Sequence, residues 1–494
     1  MTQTKWQRRM RDARWLLMFC LCAASMPAWV KAEGTGPTTA VPVEESAAAS
    51  EAETARRLRQ LEDLVVKLRD EIDALKGKTP SASGVSTIAD LEKQVKALAS
   101  EIDRLREAAT PPPADTSVNG LDPSASKVYL VKRGLAIGGD GLALYENFTS
   151  TKDDDTAANV VDRADLAEFF LTFGYRFDDR LVFNSRIGIE HAVVEDGSTD
   201  GSAKVEFAYV DYRASKTIGA RAGLLLIPVG WLNERHASPG YLSVRRPEVE
   251  LRIIPTTWGE VGVAAYGEAG PVTWRAAVVT SLDAAGFSEA EGVRGGRQQG
   301  AEARAADLAF TGRVDVKPFH NRALGNLLAG ASGFSGKTGQ KEPGFPSGRF
   351  SLWDLHAEYS WRGLWTRALY VASILSDAGD IGLAIDGTPA VSPTSTAIGE
   401  RMKGWYAEVG YDLMASIKGS KQEVTPFCRY EALNTQDEVA PGFSSDPAND
   451  LTVKTCGVRY LPIPNVALKL DYQNFDQQAH TAVDQFNLGV GWSF

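Results

Sequence analysis

The last nine residues, FNLGVGWSF, alternate without a break: Phe486, Leu488, Val490, Trp492 and Phe494 share one face, while Asn487, Gly489, Gly491 and Ser493 share the other. A period of two is the mark of a β-strand. Two large aromatics near the free end of a soluble edge strand would invite aggregation, because its backbone groups are unpaired. The segment asks instead for a sheet that closes on itself and turns its outer face to an apolar medium.

About sixteen segments fit that demand: 133–149, 164–177, 180–193, 203–214, 217–226, 260–268, 271–281, 306–317, 324–334, 349–360, 363–373, 400–413, 422–433, 450–461, 464–475 and 484–494. Tight links such as Asp178-Asp179, Ser215-Lys216, Ala269-Gly270, Arg362-Gly363 and Pro462-Ile463 alternate with long connections at 150–163, 227–259, 282–305, 335–348, 374–399 and 434–449. Short turns at one end and long loops at the other are the pattern of outer-membrane barrels. In the third segment Asn184, Arg186, Gly188 and Glu190 alternate with Phe183, Ile187 and Ile189; in the eighth Thr311, Arg313, Asp315 and Lys317 alternate with Phe310, Val314 and Val316. Charges facing a wet lumen and apolar side chains facing lipid are the expectation, and sixteen strands leave room for a channel. With 46 Gly, 14 Tyr, 19 Phe and 11 Trp, the composition suits a barrel that is polar inside and aromatic at its rims. The expected fold class is therefore an all-β transmembrane barrel of about sixteen antiparallel strands, occupying residues 128–494.

The chain's start supplies a compartment. Lys5, Arg8, Arg9, Arg11 and Arg14 precede an apolar run over 15–22, and Val30-Lys31-Ala32 offers small residues for cleavage before Glu33. Residues 1–32 read as a secretory signal, since the run falls short of the roughly 20 residues of a spanning helix. Its loss moves the formal net charge from −10 to about −15, an acidic balance that argues against nucleic acid as a partner.

After a low-complexity linker, 33–50, come two heptad blocks within 51–108. Leu58, Leu61, Val65, Leu68, Ile72 and Leu75 are spaced 3,4,3,4,3, and Ile88, Leu91, Val95, Leu98, Ile102 and Leu105 repeat that spacing beyond the breaker at 78–84. Such spacing predicts amphipathic helices that associate as a coiled coil. β-branched residues at a with Leu at d lean toward two strands. Arg57-Leu58-Arg59-Gln60-Leu61-Glu62, in contrast, resembles the Arg-h-x-x-h-Glu pattern of trimeric coiled coils, and a homotrimer is the favoured reading. A hairpin folded within one chain is the alternative. A Pro-rich linker, 109–127, follows.

The third long connection is the most unusual. PVGWLNERHASPGYLSVRRPEVELRIIPTTWGE mixes aromatics, prolines and charges where an idle loop would use Gly and Ser, and it is longer than a connection requires. It is expected to fold against something. The run LLLIPVGWLNERHASPGYLSVRRPEVELRIIPTTWGEVGVAAYGEAG, with SLDAAGFSEAEGVRGGRQQGAEARAADLAFTGRVD after it, resembles the phosphate-selective porin O and P family of trimeric, sixteen-stranded channels. What the resemblance implies is a third loop folded into the lumen as a constriction, with basic side chains guiding anions; the leading coiled coil is not part of that family's pattern.

The loop itself carries Arg235, His236, Arg245, Arg246 and Arg252 against Glu234, Glu248 and Glu250. Guanidinium forks in a narrow pore would make an anion-attracting eyelet; paired to those glutamates, they would only pin the loop. Both readings stand at this point. Expected lumen-facing bases, Arg186, Arg221, Arg313, Lys317, Arg429, Arg459 and Lys469, outnumber Glu190, Asp315, Glu408, Glu431 and Asp471, which tilts the expectation toward weak anion preference; phosphate or other oxyanions belong to that class, but no dedicated lysine cluster on the loop singles out phosphate. Cys428 and Cys456 share the lipid-facing phase, so either they form a cross-strand disulfide or they serve as small apolar side chains. Acidic runs at 153–155 and around Asp437, Glu438, Asp446 and Asp450 read as solvated loop tips, with divalent cations at a lipopolysaccharide surface as the other reading.

His191, His236, His320, His356 and His480 sit in no recognisable nucleophile or metalloprotease motif, so no enzyme, cofactor or metal is expected. The expected function is a passive outer-membrane channel for small anionic or polar solutes. The alternative is a structural barrel that tethers a periplasmic coiled coil to peptidoglycan.

Overall fold

The computed structural model describes residues 117–494 apart from 119, 193–200, 216, 322, 393–394 and 418–419, together with nine positions between 64 and 98. The chain divides into two compact units, Met1–Pro111 and Pro112–Phe494. In the first, Leu64, Lys67, Leu68, Ile72, Leu91, Lys93, Val95, Lys96 and Leu98 are all helical; Ile72 is buried, Leu68, Leu91, Val95 and Leu98 are half-buried, and the three lysines are exposed. The signal, the low-complexity linker and the rest of the heptad blocks lie outside the described residues.

The second unit is a barrel of sixteen strands: β1 (Gly134–Phe148), β2 (Arg163–Arg176), β3 (Leu181–Glu190), β4 (Ser202–Arg213), β5 (Ile218–Leu226), β6 (Gly259–Ala269), β7 (Val272–Thr280), β8 (Leu308–Asn321), β9 (Gly325–Lys337), β10 (Arg349–Trp361), β11 (Leu364–Leu375), β12 (Gly399–Tyr411), β13 (Glu423–Val439), β14 (Asp450–Ile463), β15 (Val466–Gln477) and β16 (Gln485–Ser493). Each pairs antiparallel with its chain neighbours, and β1 pairs with β16, which leaves no edge. Alternation located every strand but not every end. β13 runs on to Val439, pairing as far as Gly399 of β12, because its last stretch, NTQDEV, is polar on both faces and hides its period.

Closure rests on small residues under large ones. Gly139 and Gly141 of β1 face outward, and a Cβ on either would stand 2.6 Å from the Phe494 ring or 2.5 Å from the Trp492 ring. Phe494 also exchanges backbone hydrogen bonds with Gly139 in both directions, at 2.8 and 2.9 Å. The outer wall carries Leu135, Ile187, Val210, Val263, Phe310, Leu355 and Val409, all exposed. Outward aromatics pair across neighbouring strands, Trp353 with Tyr370 and Trp405 with Tyr430, while Tyr175 and Phe177 meet at the short-turn end. An exposed apolar wall with aromatic pairs suits an apolar surround. Among the described residues no helix is long and apolar enough to cross a membrane.

The interior departs from a wet tube. Thirty buried apolar residues form one cluster that joins the third loop (Ile227, Trp231, Ile253, Ile254, Trp258) to inward wall residues (Val279, Ala309, Phe334, Leu369, Val371) and to the loops above them (Phe287, Val293, Ile381). Inward Ala, Val, Leu and Phe on β7–β11 supply that surface, which the polar alternation of β3 and β8 had hidden.

Among the described residues of this unit are three α-helices: α1 (Pro123–Leu130), α2 (Glu248–Arg252) and α3 (Ala378–Asp386). The first corrects the expected boundary, since α1 straddles residues 127 and 128 and packs on the inner faces of β1, β2 and β3. At 8 residues it is too short to show a hydrophobic period, although Pro123 at its start is a helix-initiating signal.

Candidate functional site

The third loop, residues 227–258, leaves β5, crosses the lumen and returns to β6. Its two ends are stapled together: the Ile227 amide donates to the Trp258 carbonyl at 3.0 Å, and Asn233 Nδ2 reaches both the Ile227 and Trp258 carbonyls. Glu250 of α2 holds the entry. Its carboxylate accepts from the amides of Trp231 and Leu232 at 3.0 and 2.7 Å and from the Tyr406 hydroxyl at 2.6 Å, and burial pushes its carboxyl above the usual range. The Trp231 ring is met by the Arg313 and Arg367 guanidiniums, 5.5 and 5.0 Å from its centroid. From the next long loop Arg294 and Arg297 donate to the carbonyls of Leu251, Thr256, Pro255 and Thr257, clamping the return arm.

The crossing stretch, 238–246, is held quite differently, by polar groups of β13–β16, β1 and β2. Lys469 Nζ donates to the Ser238 and Ser243 carbonyls and sits 3.7 Å over the Tyr241 ring. Arg459 donates to the Pro239 carbonyl at 3.0 Å, Arg429 to the Ser243 hydroxyl, and Asp471 accepts from the Val244 amide. Arg245 pairs with Glu146 and Arg246 with Glu168. Two glycines of β16 make room for the loop: a Cβ on Gly491 would meet Ser238 Oγ at 2.3 Å, and one on Gly489 would meet Val244 Cγ1 at 2.9 Å.

A cavity opens on each side of this stretch. At the long-loop end one of about 270 Å³ is lined by Arg163, Arg245, Glu248, Arg252, Gln477 and Gln485. At the short-turn end another of about 760 Å³ is lined by Leu242, Arg459, Glu423, Trp361, Trp365 and Asp412. Leu242 belongs to one and Arg245 to the other, so the barrier between them contains Ser243 and Val244, both fully buried.

The expected basic residues divide by exposure. Arg186, Arg221, Arg313, Arg429 and Lys469 face inward and are buried, and Arg459 is half-buried. Each is engaged: Arg186 with Asp122, Asp140 and Glu206; Arg221 with Asp211; Arg313 with Asp315; Arg429 with Glu431 and Glu408; Arg459 with Glu423; Lys469 with the carbonyls named above. Lys317, unlike these, is exposed, beside the short-turn bulge of β8, where the register shifts between Val316 and Phe319. In the loop Arg235 donates to the Gly120 carbonyl, and buried His236 contacts Glu206 at 3.0 Å. Glu248 holds Arg252 at 2.7 Å. The loop's bases thus mostly find partners on the wall rather than within the loop.

Three arginines at the long-loop cavity stay partly exposed. The side chains of Arg163, Arg252 and Arg245 are 58, 38 and 32 % exposed, and all three line the long-loop cavity. Glu146, beneath them, takes both Arg163 and Arg245, and Glu248 takes Arg252, which leaves one positive charge in excess. Sequence reasoning missed Arg163 and Glu146 because both sit at strand ends beside a loop read as solvated. It missed Asp122 because residue 122 fell in the expected linker.

Cys428 and Cys456 are directly opposed in the β13–β14 register and joined as a disulfide. The acidic runs hold no cluster fit for a metal among the described residues.

No family model matches the chain. A protein of Aquifex aeolicus described as uncharacterized is 37% identical over 393 residues, covering 79% of this chain and 87% of that protein. Among solved structures, the chain is similar to the anion-selective porin of Comamonas acidovorans (TM-score 0.44, 10% identity, 73% of this chain and 99% of that one). It is similar also to OmpF of Salmonella typhi in complex with daunomycin (0.45, 11%, 74% and 98%) and to the outer-membrane channel DcaP of Acinetobacter baumannii (0.42, 14%, 73% and 97%).

Proposed function

From a chain that belongs to the same family as the Aquifex aeolicus protein, and whose barrel is crossed by a pinned loop, we infer a passive diffusion channel of the outer membrane. The observation that carries this reading is the pair of cavities on either side of Ser243 and Val244, with three solvated arginines at one of them. A solute entering from the long-loop end meets Arg163, Arg245 and Arg252 before it meets the barrier. Charges of one sign in a low-dielectric funnel concentrate ions of the other sign. Planar forks suit carboxylate and phosphate oxygens. The preference is weak because the excess is a single charge and Glu146 and Glu248 lie within contact of the same heads. Phosphate and other oxyanions fall in this class, in line with the resemblance of the third loop to the phosphate-selective porin O and P family.

The rest of the reading is architectural. Residues 1–32 are removed on export, 51–108 associate as a periplasmic trimeric coiled coil, and the barrel sits as a homotrimer in lipid and lipopolysaccharide. Liposome swelling with neutral and anionic solutes of graded size tests the channel: entry of small solutes, faster for anions of equal size, is the expected result, and no swelling with any solute overturns it.

The filled lumen favours a second reading, a plugged barrel that anchors the coiled coil to peptidoglycan. Silent liposomes together with cell-wall binding by the full chain would establish it.

A further inference from the structure

The channel reading leaves unused the segment inserted into the lumen ahead of β1. Residues 117–118 and 120–131 turn back on themselves: the Leu121 amide donates to the Val118 carbonyl at 3.1 Å and the Val118 amide to the Ser126 hydroxyl at 2.9 Å. Gly120 makes the turn at φ +81, where a Cβ would also meet the Arg275 guanidinium at 2.2 Å. The seat is built for this segment. A Cβ on Gly138 of β1 would stand 2.6 Å from the Ser124 carbonyl, and one on Gly174 of β2 would stand 2.3 Å from Val128 Cβ. Around it Asn184 donates to the Ala125 carbonyl, Arg176 to the carbonyls of Tyr129 and Val131, and the Tyr129 hydroxyl to Asp211.

We propose that this insert holds the constriction loop in register and that Asp122 is its positioning residue. Asp122 is 3 % exposed, and its Oδ2 accepts from the amides of His236 and Ala237 and from Arg186 Nη1, each at 3.1 Å. Arg235, the residue before, donates to the Gly120 carbonyl at 3.0 Å. Three successive loop residues, 235–237, are therefore tied to 120–122, immediately before the stretch that crosses the lumen. Arg186 and Glu206 complete the tie, since Arg186 reaches Asp140 and Glu206, and Glu206 reaches His236 Nε2. Removing the carboxylate leaves two buried amides without their acceptor and takes from Arg186 one of its three carboxylate partners, a state a loop escapes by moving toward water. Its effect on ion flow rests on the channel reading; its effect on the loop does not.

The test uses the full chain, folded into liposomes, with Cys20 and Cys22 replaced and Ala237→Cys as reporter. Ala237 is 2 % exposed, so its thiol should react slowly with a water-soluble maleimide. Asp122→Ala should raise the labelling rate at least tenfold, and Asp122→Asn, which keeps an acceptor oxygen for the amides, should raise it less. A heat-dependent gel shift identifies the barrels that have folded. Unchanged labelling of folded Asp122→Ala overturns the proposal. In parallel bilayer recordings Asp122→Ala should alter ion selectivity as well as conductance, an effect a merely structural residue would not produce. Silent wild-type channels combined with Asp122-dependent labelling would defeat the channel reading and leave the positioning role supported.

Discussion

Two sides of one lumen grip the same loop by different physics. The wall from β6 to β12 holds the loop's arms through apolar burial: Trp258 lies on Phe334 with ring centroids 4.4 Å apart, and Ile253 and Ile254 are fully enclosed. The wall from β13 round to β2 holds the crossing stretch largely through ion pairs and bonds to its backbone, with a small apolar contact at Val244, Leu142 and Leu144. Apolar burial is indifferent to which ions pass and sets where the loop is; it stabilises by about 1.5–3 kcal/mol per large side chain. Polar pins serve a second purpose, because some of their charged heads reach water. Anchoring and selection are thereby assigned to opposite walls.

The contrast breaks most visibly at Trp258. Trp258→Ala should cost about 3–5 kcal/mol, read as a lower urea midpoint of the refolded protein; a loss under about 1 kcal/mol would mean that the apolar wall does not anchor the loop. Next comes Arg313→Gln, in the anchoring half, where a guanidinium paired with Asp315 and capping the Gly230 carbonyl is lost. A cost of about 3 kcal/mol with unchanged ion selectivity is expected, and a changed permeability ratio would show that selection is not confined to the opposite wall. Replacing Arg245 and Arg252 together by Gln should do the converse: the anion-to-cation permeability ratio falls about fivefold, equivalent to about 1 kcal/mol, while stability moves little. That difference should shrink as salt is raised, because the heads are solvated and screened.

The smallest effect is the pH dependence of Glu250. Its carboxyl lies above the ordinary value of 4.5 in the folded chain. The protonated form is thus favoured by folding, so its contribution is complete below that ordinary value and is lost as pH rises through the raised one. Wild-type stability should decline on going from acid to neutral pH, and Glu250→Gln should flatten that part of the curve in chemical unfolding at several pH values.

How much of this was legible depends on which residues carried a period. All sixteen strands were readable because a membrane wall imposes strict alternation, and the third loop stood out through its length and aromatics. Its neighbours did not. The apolar cluster draws on inward Val279, Ala309 and Leu369, which look like ordinary strand residues in one dimension. Asp122 lies in a segment whose helix is too short to have a face. Exposure, which separates Arg163, Arg245 and Arg252 from the buried bases, depends on partners distant in the chain: Arg186 meets Asp122 across 64 residues and Lys469 meets Ser238 across 231. Counting lumenal bases overstated the free charge, since folding pairs most of them.

The central claim, that a loop-narrowed lumen passes small solutes under a slight excess of positive charge, is tested most directly by the reversal potential of the wild-type protein in a planar bilayer under a salt gradient. The account predicts measurable conductance with a potential displaced modestly toward the anion equilibrium value. A silent bilayer, or a displacement toward the cation value, would contradict it.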